Sequence, residues 1–309
     1  MTVNRTARLK QRPKGPITGD LFEVRDEPLA EPGDGQFRVR AEYVSLDPAM
    51  RGWMSEGRSY VAPVEIGEVM RAFSVGRIEA SRHPEYREGE AVVGLFGAQT
   101  HPISDGRGVT RADLSIAPMP TWLGGLGMPG LTAYFGLLEV ARPKAGETVV
   151  VSAASGAVGQ VVGQLARLQG CRAVGIAGGP DKCNFITSQI GYDAAVDYKA
   201  GRLADDLKAA CPDGIDVDFE NIGGEVFDTI LAQMNPFGRV ALCGTMSAFD
   251  PAGPPPGPKN LRMVLVMRLR VQGLIVFDFA ERWGEALADL ARWHQEGRLT
   301  FREDVRDGG

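Results

Sequence analysis

Between Val149 and Gly159 the chain reads Val-Val-Val-Ser-Ala-Ala-Ser-Gly-Ala-Val-Gly. A continuous apolar run enters this segment, and apolar residues at helical spacing (Val158, Val161, Val162, Leu165, Leu168) leave it. Strand, glycine turn and helix in that order are the setting of a dinucleotide-binding fingerprint. In such a turn Gly156 lets the backbone approach a pyrophosphate, and Gly159 lets helix and strand pack closely. The helix N-terminus adds unpaired N–H groups and partial positive charge. Ala154 stands where the first glycine of the fingerprint usually stands. At the end of the next strand an NAD site carries Asp or Glu for the ribose 2′-hydroxyl. Here that place is Ala177-Gly178-Gly179, followed by Lys182. The small residues leave room for a 2′-phosphate and the lysine pairs with it. Asp181 argues the other way, but a helix start favours an acid that points outward. These residues select NADP over NAD.

The remaining reactive side chains form no familiar constellation. Cys171, Cys183, Cys211 and Cys243 make no C-x-x-C pair, and His83, His101 and His294 lie at no metal-ligand spacing from them. No metal site is expected. His101 has a reference pKa suited to proton transfer, but as a loop histidine it reads as a surface residue. Tyr134 reads either as a pocket residue or as packing.

The elements that position the glycine turn alternate strand and helix. Thr148–Val151 is apolar throughout, as a strand buried on both faces must be. Further strands are expected at 171–177, 194–197, 215–219, 238–243 and 269–277. Helices are expected at 131–140, 181–190, 203–210, 226–234 and 280–296, and a Pro/Gly-rich loop at 251–258. That alternation predicts a doubly wound parallel sheet. Before residue 125 the chain is turn-rich and strand-like, with runs at 36–44, 75–78, 90–96 and 114–117, which predicts an all-β domain. With 309 residues, 44% hydrophobic and 24% charged, the composition is that of a globular protein of two domains. A net charge of −5 gives no electrostatic reason to bind nucleic acid. No apolar run is long enough to span a membrane, and no signal-peptide core is present, so a cytoplasmic location is expected.

Several strings resemble the zinc-free medium-chain dehydrogenase/reductase superfamily, in its leukotriene B4 dehydrogenase, prostaglandin reductase and alkenal reductase branch. They are Ser45-Leu-Asp-Pro-Ala-Met-Arg51, Gly67-Glu-Val-Met70, Leu126-Gly-Met-Pro-Gly-Leu-Thr-Ala-Tyr-Phe-Gly136, Lys144-Ala-Gly-Glu147, Asp197-Tyr-Lys199, Phe219-Glu-Asn-Ile-Gly-Gly-Glu225 and Val276-Phe-Asp278. The resemblance implies an α/β chain with a GroES-like β-rich catalytic domain over 1–125 and a Rossmann domain over 126–296. Residues 297–309 would begin a return to the catalytic domain that family members extend by a helix and a strand. It implies a pyrophosphate site at Ser155, Gly156, Ala157, Val158 and Gly159, and a 2′-phosphate site at Gly178, Lys182 and Tyr198. Asn221 would line the ribose and nicotinamide, Cys243, Gly244 and Thr245 would turn beneath the nicotinamide, and Val276, Phe277 and Asp278 would lie near the ring. A homodimer through the Rossmann sheet edges is implied as well.

The implied activity is NADPH-dependent reduction of the carbon–carbon double bond of α,β-unsaturated aldehydes and ketones. Such a site must hold the alkene over the nicotinamide and stabilise an enolate with a donor. The chain departs from the family in that pocket. Ala49 and Phe249 stand where tyrosines are usual, Ala98 and His101 replace a Trp and a Tyr, and Leu261 stands at an Asn-Tyr pair. A phenylalanine cannot donate a hydrogen bond, so a cofactor ribose hydroxyl, Tyr60 or a water would supply it. A quinone reductase of the same superfamily and an idle NADPH-binding protein are the rival readings.

Overall fold

A computed structural model of the chain describes residues 2–249 and 257–308. The chain divides into two units, Met1–Leu123 with Val305–Gly309, and Gly124–Asp304.

The first unit is built on β-strands. Strands β1 (Val3–Leu9) and β2 (Phe22–Pro28) form an antiparallel ribbon. Strands β3 (Phe37–Val44), β4 (Ser74–Ser81), β5 (Ala91–Gly94), β6 (Ile103–Ser104) and β7 (Thr110–Arg111) form an antiparallel sheet in the order β6-β3-β4-β5-β7. Bulges break the β3–β4 register after Arg38 and after Ala41, which curls the pair. Gly76 sits in that bend, where any side chain would run into the Arg40 carbonyl. Phe37, Val39, Ile78, Tyr86, Val92 and Phe96 make the core. The unit is not wholly β. Helix α1 (Ala49–Trp53) interrupts the connection between β3 and β4, and α2 (Met119–Leu123) closes the unit. The apolar run 114–117 is a turn rather than a strand.

The second unit starts with α3 (Met128–Phe135), which widens into a π-helical turn over Gly136–Ala141. Then come β8 (Thr148–Val151), α4 (Ala157–Leu168), β9 (Arg172–Ala177), α5 (Pro180–Phe185), β10 (Ala194–Asp197), α6 (Leu203–Ala210), β11 (Ile215–Glu220), α7 (Gly224–Leu231) and β12 (Met234–Leu242). Helix α8 (Arg262–Val266), β13 (Arg270–Gly273) and α9 (Trp283–Gln295) complete it. All neighbouring strands pair in parallel, in the order β10-β9-β8-β11-β12-β13. This is the doubly wound arrangement expected, with the order reversing between β8 and β11.

Two expected elements end differently in the structure, and one lies mostly outside the described residues. The strand expected at 269–277 ends at Gly273, and Val276–Arg282 coils into 3-10 turns. The helix expected at 181–190 is α-helical only to Phe185 and continues as a π turn, Ile186–Ile190. Most of the loop expected at 251–258 lies outside the described residues.

Candidate functional site

The carboxyl ends of β8, β9, β11 and β12 carry the site residues of the second unit. Strand β8 delivers the chain to Ser152, and Ala153 turns it with φ +50°. A non-glycine residue there adopts the left-handed conformation that a fingerprint glycine usually supplies. Ala154 follows, fully buried, with its N–H donating to the Ile176 carbonyl at 3.0 Å. Its methyl is accommodated because β9 presents Gly175 opposite; a Cβ on Gly175 would stand 2.8 Å from it. Gly159 is packed so tightly that any side chain would collide with the Ala153 carbonyl. Gly156 and Ala157 remain exposed at the start of α4, and no side chain caps that helix. Its first N–H groups are therefore open to an anion. This cradle fits a dinucleotide pyrophosphate, with Ser155 and Val158 at its rim.

At the end of β9, Gly179 takes φ +94°, and its N–H donates to Asp197 Oδ1 at 2.8 Å. The same oxygen accepts the Lys199 N–H at 2.9 Å, so one carboxylate from β10 ties the two turns together. These N–H groups hold the Asp197 carboxyl below the usual carboxylate range. Tyr198 lies against Gly178, where a Cβ would stand 2.8 Å from its ring. Lys182 is exposed on the first turn of α5, and no ion pair engages it among the described residues. A phenol and lysines on the turns beside Gly178 are the residue types that suit a phosphate monoester.

Asn221 is held more firmly than sequence reasoning anticipated. Its N–H donates to Ser152 Oγ and its Nδ2 to the Ser152 carbonyl, each at 2.7 Å. Ser152 Oγ in turn donates to Glu220 Oε1 at 2.8 Å. That carboxylate oxygen also accepts the N–H groups of Ile222 at 2.5 Å and Gly223 at 2.8 Å. Ser152 and Glu220 were missed as site residues. Their signal was present in the Phe219-Glu-Asn-Ile-Gly-Gly string, but only the fold brings Ser152 to it. The Cys243 and Gly244 N–H groups donate to the Glu220 carbonyl at 2.9 and 3.0 Å, which sets the Cys243–Thr245 turn beside Asn221. A Cβ on Gly244 would stand 2.9 Å from the Asn221 carbonyl. Burial beside Glu220 pushes the Cys243 thiol up to about 12, so it stays a neutral thiol.

Val276, Phe277 and Asp278 fall in the 3-10 segment after β13. The Leu274 N–H donates to the Leu242 carbonyl at 3.0 Å, which places that segment next to the end of β12. Phe277 packs on Trp283 with ring centroids 5.8 Å apart. Tyr134 is buried in packing, its hydroxyl donating to Asp289 at 2.8 Å. Phe249 ends the 3-10 turn Met246–Phe249, and its side chain lies outside the described residues.

In the first unit, Ala49 is exposed at the start of α1. Tyr60 is half-exposed, and its phenol oxygen accepts the Trp53 indole N–H at 2.9 Å. The Arg71 guanidinium stands 5.6 Å from the Trp53 ring centroid. His101 corrects the sequence reading: it is buried rather than superficial, with Nδ1 2.9 Å from Thr100 Oγ1 and Nε2 4.0 Å from Glu79. The loop folds inward because the Asn4 side chain accepts the His101 N–H at 2.9 Å. Among the described residues no group of three or more His, Cys, Asp or Glu side chains is placed to hold a metal ion. No described helix is long and apolar enough to cross a membrane.

A glycine-lined turn at the switch point of a parallel sheet defines the second unit as the Rossmann unit of an oxidoreductase-type fold. Residues 5–112 match the family model described as the N-terminal domain of oxidoreductase, and residues 157–292 match the one described as zinc-binding dehydrogenase. The chain is 43% identical over 312 residues to the NADPH-dependent curcumin reductase of Escherichia coli K12, covering 99% of this chain and 90% of that protein. It is 39% identical over 320 residues to prostaglandin reductase 1 of Rattus norvegicus, covering 100% and 93%. The crystal structure of CurA from Vibrio vulnificus in complex with NADPH superimposes with a TM-score of 0.91 at 41% identity, covering 97% and 90%. The chain therefore belongs to the zinc-free medium-chain dehydrogenase/reductase family, in the branch that holds the curcumin and prostaglandin reductases.

Proposed function

We propose that this chain is an NADPH-dependent reductase of the carbon–carbon double bond of α,β-unsaturated aldehydes and ketones, working without a metal. The observation that carries the cofactor reading is Gly178 at the end of β9, with Tyr198 against it and Lys182 on the adjoining helix, where an NAD enzyme would place an acid. The substrate reading rests on the relatives, one named a curcumin reductase and the other a prostaglandin reductase. Bound here, NADPH would supply hydride to the β-carbon, and the α-carbon would take a proton from water. The chain's part is to bind, to orient and to meet the negative charge that develops on the carbonyl oxygen. Gly156 to Gly159 hold the pyrophosphate, and Asn221, fixed by Ser152, orients the ribose and nicotinamide. The Cys243–Thr245 turn and Val276–Asp278 line the nicotinamide end. The donor to the substrate oxygen is a cofactor ribose hydroxyl, Tyr60 or a water, and Ala49 and Phe249 are candidate pocket residues.

We propose further that two copies pair through the β13 edge of the Rossmann sheet. Support comes from the exposed β13 and from Leu261 and Leu265, which are 59% and 78% exposed beside it. Four free cysteines suit a reducing compartment such as the cytoplasm.

The test is NADPH absorbance decay with a short 2-alkenal, an aryl enone and a quinone, each run beside NADH. Decay with the enones, a saturated carbonyl product and preference for NADPH are expected. Decay with the quinone alone, or NADPH binding without turnover of any of the three, would overturn the reading.

A further inference from the structure

Gly178 lies directly under the turn after β10. A Cβ on Gly178 would stand 2.8 Å from Tyr198 Cε1, 3.0 Å from the Tyr198 hydroxyl and 3.1 Å from Lys199 Cε. The Lys199 stem thus reaches the same glycine as the Tyr198 phenol, and its Nζ lies 5.9 Å from the Tyr198 ring centroid. The backbone of Lys199 is not free to drift. Asp197 Oδ1 accepts its N–H at 2.9 Å while accepting that of Gly179 at 2.8 Å, so the lysine and the glycine turn are set by one atom. Asp197 accepts two N–H groups and also feels the Lys199 charge, but its carboxylate is engaged by the backbone. Asp181, on the first turn of α5, is exposed. Among the described residues no carboxylate lies within ion-pair distance of Lys199 Nζ.

We infer that Lys199 is a second cation of the adenosine 2′-phosphate site, acting with Tyr198 from the β10 side while Lys182 contributes from α5. Two lysines and a phenol on the turns beside a glycine suit a dianionic phosphate monoester better than a ribose hydroxyl, which would give neither lysine a charged partner of its own. The inference rests on the NADP(H) part of the proposed function and is independent of the reduction itself.

The experiment measures nucleotide binding to the full chain by calorimetry, with 2′,5′-ADP and 5′-AMP as probes. For Lys199→Met, 2′,5′-ADP binding weakens about tenfold or more, as the loss of a charge-assisted contact implies, while 5′-AMP binding stays within about twofold. Lys199→Arg keeps the wild-type preference. Lys182→Met combined with Lys199→Met loses more than either alone. Unchanged 2′,5′-ADP binding in Lys199→Met overturns the inference, as does equal weakening of both nucleotides. A chain that shows the expected binding pattern yet reduces no enone overturns the reductase reading and leaves this one standing.

Discussion

Ser152 and Asn221 are joined twice, backbone N–H to Oγ and side-chain Nδ2 to backbone carbonyl, both at 2.7 Å. The two residues lie 69 positions apart and meet because β8 and β11 are neighbours in the sheet. Their pairing fixes the Asn221 amide at the point where the strand order reverses, which is where a doubly wound sheet binds its ligand.

Ser152→Ala removes a donor to Glu220 and an acceptor for the Asn221 N–H, all in a buried setting. Leaving such groups unpaired costs about 1–3 kcal/mol. Urea unfolding should show that loss, and NADPH binding should weaken with it because Asn221 is no longer fixed. A variant as stable and as tight-binding as the parent would remove Ser152 from the site.

Asp218 lies on β11 between Val150 and Val240, fully buried, and neither carboxylate oxygen has a hydrogen-bond partner among the described residues. Burial raises its pKa well above the ordinary value, and Glu220 adds to the shift. The folded state therefore binds more protons than the unfolded state. Stability from this group is fully present below the unfolded pKa and is lost as pH rises toward and through the folded pKa, by at most about 1.4 kcal/mol per pH unit. Asp218→Val should stabilise the chain, more at pH 8 than at pH 5. Thermal melts at both pH values decide it; an equal gain at each would contradict the titration.

Tyr60 accepts the Trp53 indole N–H on its phenol oxygen at 2.9 Å, and a phenol is a group that can donate to a substrate oxygen. Tyr60→Phe should lower kcat for an enone by about 10²-fold, the scale of losing one oxyanion donor, with NADPH affinity unchanged. Trp53→Phe keeps an aromatic ring but removes the donor, so it should lower kcat less. Steady-state kinetics of the two variants, with cofactor binding measured separately, give the comparison. Full activity in Tyr60→Phe would assign the donor elsewhere.

Leu265 is 78% exposed on α8 beside the edge strand β13, where Val271 is also exposed. An apolar face next to an unpaired strand edge invites pairing with another chain. Leu265→Glu should convert a dimer to a monomer in sedimentation velocity runs while the separate chains stay folded. A parent chain that sediments as a monomer would dismiss the sheet-edge dimer.

The Rossmann unit was legible in the sequence because its signals are local. A strand buried on both faces must be apolar along its length, as β8 is, and a tight strand–helix turn must carry small residues, as Ala153 to Gly159 do. Lys182 was legible from the small residues at the end of β9, whereas Tyr198 came only from the family resemblance. The departure of 269–277 from a strand was not legible, because an apolar run reads alike whether it pairs or coils. Nor was the inward turn of His101, which depends on Asn4, a residue 97 positions away.

Tertiary structure alone decided the contacts between distant segments. Gln160 and Gln164 are polar residues of α4, yet both are buried. Their amides pair with the backbone of Arg302 and Thr300, accepting N–H bonds at 3.0 and 2.8 Å and donating to the carbonyls at 3.2 and 2.8 Å. The sequence determined which residues make strands, helices and the phosphate turn, because periodicity and steric demand act over a few residues. The placement of Ser152 against Asn221, of Lys199 over Gly178 and of the glutamines against 300–302 was decided by strand order and helix packing. Those bring together residues whose side chains carry no trace of one another in the linear chain.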